Sequence, residues 1–337
     1  MKIFMLGGTG LLGAAGAKEL IKRGHEVVSV ALPPIPKDAD IPQEMQLHLD
    51  NINTMSDEQI KQLLKGCEGF VFTAGVDERI EFEPPVYDVY HKYNIAPLAR
   101  LLPFAKEVGV KKVIILGSYF AHFAKTMPQL ELYKHHPYIR SRIDQENLAL
   151  SFSDEKMEVM VLELPYIFGA QKGRKPVWMY YIDLLLPMKK KILFPKGGTT
   201  MLTVRQVGEC IAGAIEKGKG GTCYPVGWEN KTWIELLTLV TKYMGHPEKK
   251  VVTIPTFLYK LGAFKMAKDY KKKNIEPGLS PVEFVKLMTS NCFIDRSVIQ
   301  NELGVTDDNI EEAIKDSIEY CMEIYNQNQK VVEMKAE

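Results

Sequence analysis

"MLGGTGLLG", residues 5–13, decides the reading of the chain. Gly7, Gly10 and Gly13 stand in a G-x-x-G-x-x-G spacing. Before them lies a short apolar run, Lys2–Leu6 (KIFML), and after them a helical pattern from about Leu11 to Arg23 that stops at Gly24. Buried strand, glycine turn and helix in that order make the sequence signature of a dinucleotide phosphate site. Gly7 permits the tight turn, Gly10 lets a pyrophosphate approach the backbone, and Gly13 lets the helix pack close to the strand. Thr9, Leu11 and Leu12 complete the loop, and the helix N-terminus offers free N–H groups and partial positive charge to the phosphates. Incidental glycines in an ordinary strand–helix turn are the alternative.

Outward from this turn the chain alternates. Glu26–Leu32, Met45–Leu49, Gly69–Thr73, Lys112–Leu116 and Glu158–Leu164 read as further strands. Helices fall between them at Ser56–Lys65, with Ser56 as cap and Gly66 as stop, at Val86–Val108, and around Tyr138. Such alternation predicts an α/β fold with a doubly wound parallel sheet, a Rossmann arrangement. After Pro165 it decays. Residues 166–200, with Gly169, Gly173, Pro176, Pro187 and Pro195, read as an irregular insertion; Thr203–Ile215 reads as a helix and Thr222–Val226 as a last strand. Lys231–Met244 is another helix, and beyond Pro255 only helices are expected, apart from a short run at Asn291–Ile294. Residues 1–165 and 200–227 are therefore expected to form the dinucleotide-binding part. Residues 166–199 and 228–330 are expected to form a smaller, mostly helical substrate lobe over the strand ends.

A carboxylate for the ribose is normally found at the end of the second strand. Here that place holds Ala31 and Leu32, and Glu26 lies at the strand's other end. The nearest cation is Lys37. Absence of a carboxylate removes repulsion against a 2′-phosphate, so among NAD(P) cofactors NADP is slightly favoured over NAD.

"HHPYIRSRIDQEN", residues 135–147, places Tyr138 and Arg142 one helical turn apart, and "VIILGSYF" places Ser118 at the end of the fifth strand. With the glycine loop ahead of them, these segments resemble the short-chain dehydrogenase/reductase superfamily, extended type. That group holds the NAD-dependent epimerase/dehydratase family and relatives such as dihydroflavonol reductases. The resemblance implies cofactor contacts from Gly7–Gly13, Asp50 and Asn51 beside adenine, Thr73–Ala74–Gly75 after the fourth strand, and Pro165 with Ile167 in "LPYIFG" near the nicotinamide. It implies catalytic roles for Ser118, Tyr138 and Arg142, and for Asn94 a supporting place beside the helix or a water. "GTCYPVGWENKTWIELLTLV" matches the family's G-x-x-Y-N-V-G segment. A homodimer is the family expectation.

Three departures matter. The family's Y-x-x-S-K-x-x-x-E has Arg142 in place of lysine. Arginine still favours phenolate but cannot give up its proton, so a relay through a lysine amine is lost and a water chain would have to replace it. An i,i+4 pair between Arg142 and Glu146 is the alternative reading. Glu163 stands where many sugar-nucleotide members carry arginine, and "TTMLTVRQVGECIA" lacks their diphosphate-gripping arginine in its usual place, although Arg205 is near. Trp178, Tyr180, Tyr181, Leu184–Leu186, Phe257, Leu258 and Phe264 are expected mostly in the lobe's core, some lining an apolar pocket. Three functions remain: an NAD(P)-dependent reductase or dehydrogenase of a small, fairly apolar carbonyl or alcohol; a nucleotide-sugar epimerase or dehydratase; and a non-catalytic redox sensor.

Composition narrows the partners to small molecules. The 337 residues carry 43 basic and 42 acidic side chains, a net charge of +1, which asks for neither nucleic acid nor membrane. The lysine runs Lys189–Lys191 and Lys271–Lys273 read as solvated faces. No apolar run reaches the roughly 18 residues needed to span a bilayer. Five cysteines without a C-x-x-C pair argue against disulfides or zinc, so no metal is expected, and a cytoplasmic setting follows.

Overall fold

The computed structural model describes residues 1–333. Seven strands form one parallel sheet: β1 (Lys2–Leu6), β2 (Glu26–Ala31), β3 (Gln46–Leu49), β4 (Gly69–Phe72), β5 (Lys112–Leu116), β6 (Glu158–Glu163) and β7 (Thr222–Pro225). Their order is β7-β6-β5-β4-β1-β2-β3. The chain runs outward from β1 to β3, then returns to β1's other side at β4. That reversal opens a crevice at the carboxyl ends of β1 and β4, where doubly wound sheets bind ligands.

The inner strands are mostly apolar because both of their faces are covered, whereas the edge strand β3 (QLHL) is largely exposed. Alternate residues of β1 point to opposite sides. Ile3 and Met5 join Val71, Ile114 and Met160 under helices α1 (Leu11–Lys22) and, later in the chain, Val204–Lys217. Phe4 and Leu6 join Phe70, Phe72 and Val161 under α2 (Asp57–Leu64) and α3 (Ala96–Glu107). Ser56 caps α2 in a reciprocal capping box with Gln59. The helix expected without interruption over Val86–Val108 is broken: a single turn at Tyr87–Tyr90 passes into a π-turn, His91–Ile95, before α3 begins. Next come α4 (Tyr119–Thr126), α5 (Pro137–Leu150), α6 (Met179–Leu185), α7 (Val204–Lys217), α8 (Trp233–Tyr243), α9 (Thr256–Lys272), α10 (Pro281–Met288) and α11 (Ile310–Gln327).

Residues 166–200 are more regular than expected. They contain the strand Tyr166–Phe168, α6, the strand Lys191–Pro195 and the start of the strand Gly198–Thr203. Each strand pairs with partners far along the chain: Gly198–Thr203 with Tyr166–Phe168, Glu229–Thr232 and Asn291–Cys292, and Lys191–Pro195 with Lys250–Ile254. The prolines and glycines sit near their ends, so local composition hides the pairing. The later part is likewise not purely helical, since Glu276–Pro277 pairs with Glu81–Phe82, shortly after β4. Trp178, Tyr181, Ile182 and Leu185 pack with Trp233, Leu236 and Ile314 in an apolar cluster separate from the two that flank the sheet. Among the described residues no helix is long and apolar enough to cross a membrane.

Candidate active site

At the glycine loop each residue has a distinct steric reason. Gly7 sits at φ +97°, and its N–H donates to the Val30 carbonyl at 2.8 Å. A Cβ on Gly13 would lie 2.2 Å from the Gly7 carbonyl oxygen, so α1 approaches β1 only without one. Gly10 caps α1, and a Cβ there would meet nothing nearer than the same oxygen at 3.3 Å; this glycine turns its bare face outward. The first turn of α1 carries no acid. Leu11 and Leu12 are half-buried and Thr9 is buried. The cradle and the free helix N-terminus fit a dinucleotide pyrophosphate.

Two residues unread in the sequence join the loop. Gln171 Nε2 and Arg174 Nη2 donate to the Thr9 carbonyl at 3.2 and 3.3 Å. Arg174 has no carboxylate partner among the described residues, and burial lowers its pKa. They lie more than 160 positions from Thr9 along the chain, beyond any local signal. The same segment touches exposed Lys37, whose carbonyl would lie 2.2 Å from a Cβ on Gly173. Asp50 is exposed at the end of β3 and accepts the Asn51 N–H at 2.7 Å. Thr73 donates through Oγ1 to the Leu6 carbonyl at 2.8 Å, tying β4 to β1 beside Gly7. Ala74 follows, and Gly75, at φ +132°, leaves room for the Asn94 amide. Pro165 is buried just past β6, and the Ile167 carbonyl accepts Trp178 Nε1 at 3.0 Å.

Ser118, Tyr138 and Arg142 come together. Pro137 starts α5 at a position where its missing N–H costs nothing. One turn along, Arg142 Nε donates to the Tyr138 hydroxyl at 3.1 Å. Ser118, capping α4 just past β5, hydrogen-bonds the same phenol. Tyr138 and Ser118 are each 4% exposed and Arg142 8%. The i,i+4 pairing of Arg142 with Glu146 does not form. Instead the guanidinium donates to the Val76 carbonyl at 3.2 Å, the Leu116 carbonyl at 3.4 Å and Gln145 Oε1 at 2.9 Å. Asn94, held by the π-turn, does not open onto the phenol. Its amide bonds both the N–H and the carbonyl of Val76, at 2.8 and 3.1 Å, and Gln145 Nε2 donates to its backbone carbonyl at 2.6 Å. The chain Tyr138–Arg142–Gln145–Asn94 is thus closed by side chains.

Burial raises the Tyr138 pKa; Arg142 and the Ser118 bond pull it back, while Glu78 and Asp77 push it further up. Half-buried Glu78 is itself pushed up to about 7, by burial and then by Asp77 beside it. Its carboxylate stands in electrostatic range of Tyr138, Tyr119, Tyr166 and Tyr180, of which Tyr138 and Tyr119 are buried in one apolar cluster that Tyr166 packs against.

Behind Ser118 lies a second charged group. Lys125 Nζ is 2.6 Å from Glu163 and 3.0 Å from Glu146, both almost fully buried. His122 Nδ1 is 3.6 Å from Glu163, and Cys223 Sγ is 3.7 Å from Glu146. A carboxylate oxygen of Glu146, one of Glu163 and the Cys223 sulfur lie within 4.8 Å of one another, with the Lys125 ammonium ion-paired to both carboxylates. Burial, then Glu163, lifts the Glu146 pKa to about 7.

A profile of the family described as "NAD dependent epimerase/dehydratase family" matches residues 3–226. The chain belongs to that family. A protein of Synechocystis sp. (strain ATCC 27184 / PCC 6803 / Kazusa), provisionally named dihydroflavonol 4-reductase, is 22% identical over 94% of this chain and 93% of its own. The crystal structure of gox2253 superposes with a TM-score of 0.73 at 20% identity, covering 98% of this chain and 99% of that one. UDP-glucuronic acid 4-epimerase from Bacillus cereus, in complex with NAD, gives 0.68 at 13% identity over 96% of this chain and all of its own, 100%. This epimerase/dehydratase-family chain is an NAD-dependent enzyme of the extended short-chain dehydrogenase/reductase type. In it Arg205, the arginine nearest the usual diphosphate grip, is occupied: it pairs with Asp308 at 2.9 Å and with Glu209, and donates to the Asp307 carbonyl at 2.6 Å.

Proposed function

We propose that the protein is an NAD(P)-dependent reductase or dehydrogenase acting on the carbonyl or alcohol of a small, fairly apolar substrate. The observation that carries this is the buried Arg142 Nε bond to the Tyr138 hydroxyl. It couples a cation directly to a phenol beside Ser118, just past the carboxyl end of β5. The nicotinamide, when bound, supplies or accepts the hydride. Tyr138 gives its proton to the carbonyl oxygen in reduction, or takes the alcohol proton in oxidation. Ser118 hydrogen-bonds that oxygen, and Arg142 stabilises the phenolate by charge. Asn94 positions the Val76 strap against which Arg142 rests.

The proton must then leave. Arginine holds its own, and the Gln145 amide fills the space between Arg142 and the Asn94 carbonyl. The phenol therefore exchanges its proton through the cleft, where Glu78, with a pKa near 7, is suited to carry it to solvent at neutral pH. Apolar substrate chemistry is favoured by the tyrosines grouped around Glu78 and by the engagement of Arg205 in ion pairs, which removes it from gripping a diphosphate. NADP is favoured over NAD by Lys37 and Arg174, two cations beside a loop that has no ribose carboxylate.

Absorbance of the reduced nicotinamide, followed with NADPH and with NADH against a panel of apolar aldehydes and ketones, tests the reading. Turnover that prefers NADPH and collapses in Tyr138→Phe is expected. No carbonyl turnover, with interconversion of a UDP-sugar and no net change in the cofactor, would overturn it in favour of an epimerase.

A further inference from the structure

We propose that α9 docks the substrate lobe onto an anionic lipid surface. Aromatic and aliphatic residues expected in the lobe's core lie outside it. None of the residues of α9 is buried. Phe257, Leu258, Leu261, Phe264 and Met266 are 66, 44, 61, 53 and 53% exposed. Phe257, Leu261 and Phe264 recur at i, i+4 and i+7, which places them on one stripe. The inward side is taken by other residues: the Tyr259 ring lies 5.9 Å from Phe194, and Tyr270 donates to Glu81. The stripe therefore cannot be turned in without breaking those contacts.

The charge on the same helix says what covers it. Lys268, Lys271 and Lys272 continue the stripe through its last turns. With Lys260, Lys265 and Lys273 they face a single acid, Asp269, over residues 256–273. Lys265, Lys268, Lys271, Lys272 and Lys273 are exposed and form no salt bridge among the described residues. The near-neutral net charge of the whole chain conceals this local concentration. A second copy laid across the stripe by a two-fold axis would offer these lysines apolar side chains or further lysines, with Asp269 as the helix's single acid. An anionic bilayer surface instead takes the rings at the acyl boundary and the ammonium groups among the headgroups.

Sedimentation of the full chain with vesicles tests this. Binding is expected to phosphatidylcholine–phosphatidylglycerol vesicles, falling as salt rises, with little binding to phosphatidylcholine alone. Each anchoring lysine is worth about fivefold in partitioning, so Lys268→Gln with Lys271→Gln and Lys272→Gln should weaken binding about 100-fold. Phe257→Ser with Phe264→Ser should also abolish it, with an unchanged thermal midpoint because both rings face solvent in the free protein. No binding to anionic vesicles, or equal binding by wild type and both variants, would overturn the proposal. So would a lipid-independent dimer that the phenylalanine variant dissociates, since that outcome gives the stripe to a second copy.

Discussion

Tyr138 sits under opposed influences. Burial and the carboxylates of Glu78 and Asp77 hold its proton on, while Arg142 and Ser118 favour its release. Tyr138→Phe removes the hydroxyl and keeps the ring packed against Tyr90 and Phe120. Turnover should fall roughly 10²–10⁴-fold, with cofactor affinity from calorimetric titration little changed. Arg142→Ala should move the tyrosine's apparent pKa upward in the pH–rate profile; an unmoved profile would remove the arginine from the mechanism. Glu78→Gln should flatten the limb of that profile near pH 7 without a matching change in KM, and a small carboxylic acid in the buffer should restore part of the rate. If KM alone rises, Glu78 binds substrate and carries no proton. Tyr138, Arg142 and Ser118 were legible in the sequence because the first two share one helical turn and the third ends a strand. Gln145 and Glu78 were not, since the first looks like any helix glutamine and the second comes into range of Tyr138 only through the strap after β4.

Elements hold these residues by contacts of unequal transparency. The glycine loop could be read position by position, and its steric roles can be separated. Gly10→Leu should abolish dinucleotide binding while leaving the thermal midpoint within a few degrees. Gly13→Leu should unfold the β1–α1 unit as well, because its Cβ meets the Gly7 carbonyl oxygen at 2.2 Å. The cation that balances Glu163 could not be read, because Lys125 comes from α4 and meets β6 and α5 only in three dimensions. Removing it strands two buried carboxylates, so Lys125→Met should destabilise the fold by on the order of 3 kcal/mol at pH 8, measured by denaturant titration. Adding Glu163→Gln should recover most of that loss. Glu146 has a raised pKa, so its protonated form stabilises the folded state below about pH 4.5, and that contribution is lost as pH rises through about 7. The Lys125→Met penalty should therefore be smaller at pH 5 than at pH 8. The π-turn under Asn94 had no signature beyond an ordinary helical pattern.

Across the whole molecule, the doubly wound half was written in period and punctuation, while the lobe was not. Its strands are two to six residues long and pair across large separations, so residues 166–200 read as an irregular insertion. The lobe nevertheless meets the tyrosine helix directly. The Tyr138 N–H donates to the Gly278 carbonyl at 3.0 Å, and the Ser280 N–H donates to His136 Nδ1 at 3.0 Å. Burial holds that imidazole's pKa down at about 4, leaving its ring neutral and able to accept. The first of these bonds ties the backbone amide of Tyr138, the proton donor we propose, to a segment 140 positions further along the chain. Whenever the segment around Gly278 lifts away, that amide is released to solvent. Deuterium uptake at this single position, read by mass spectrometry or NMR, thus becomes a clock for lobe opening. Uptake should slow when dinucleotide is added. It should quicken in Gly278→Val, whose Cβ would fall 1.9 Å from the Tyr90 hydroxyl. Unchanged uptake in that variant would mean that the two halves part somewhere else.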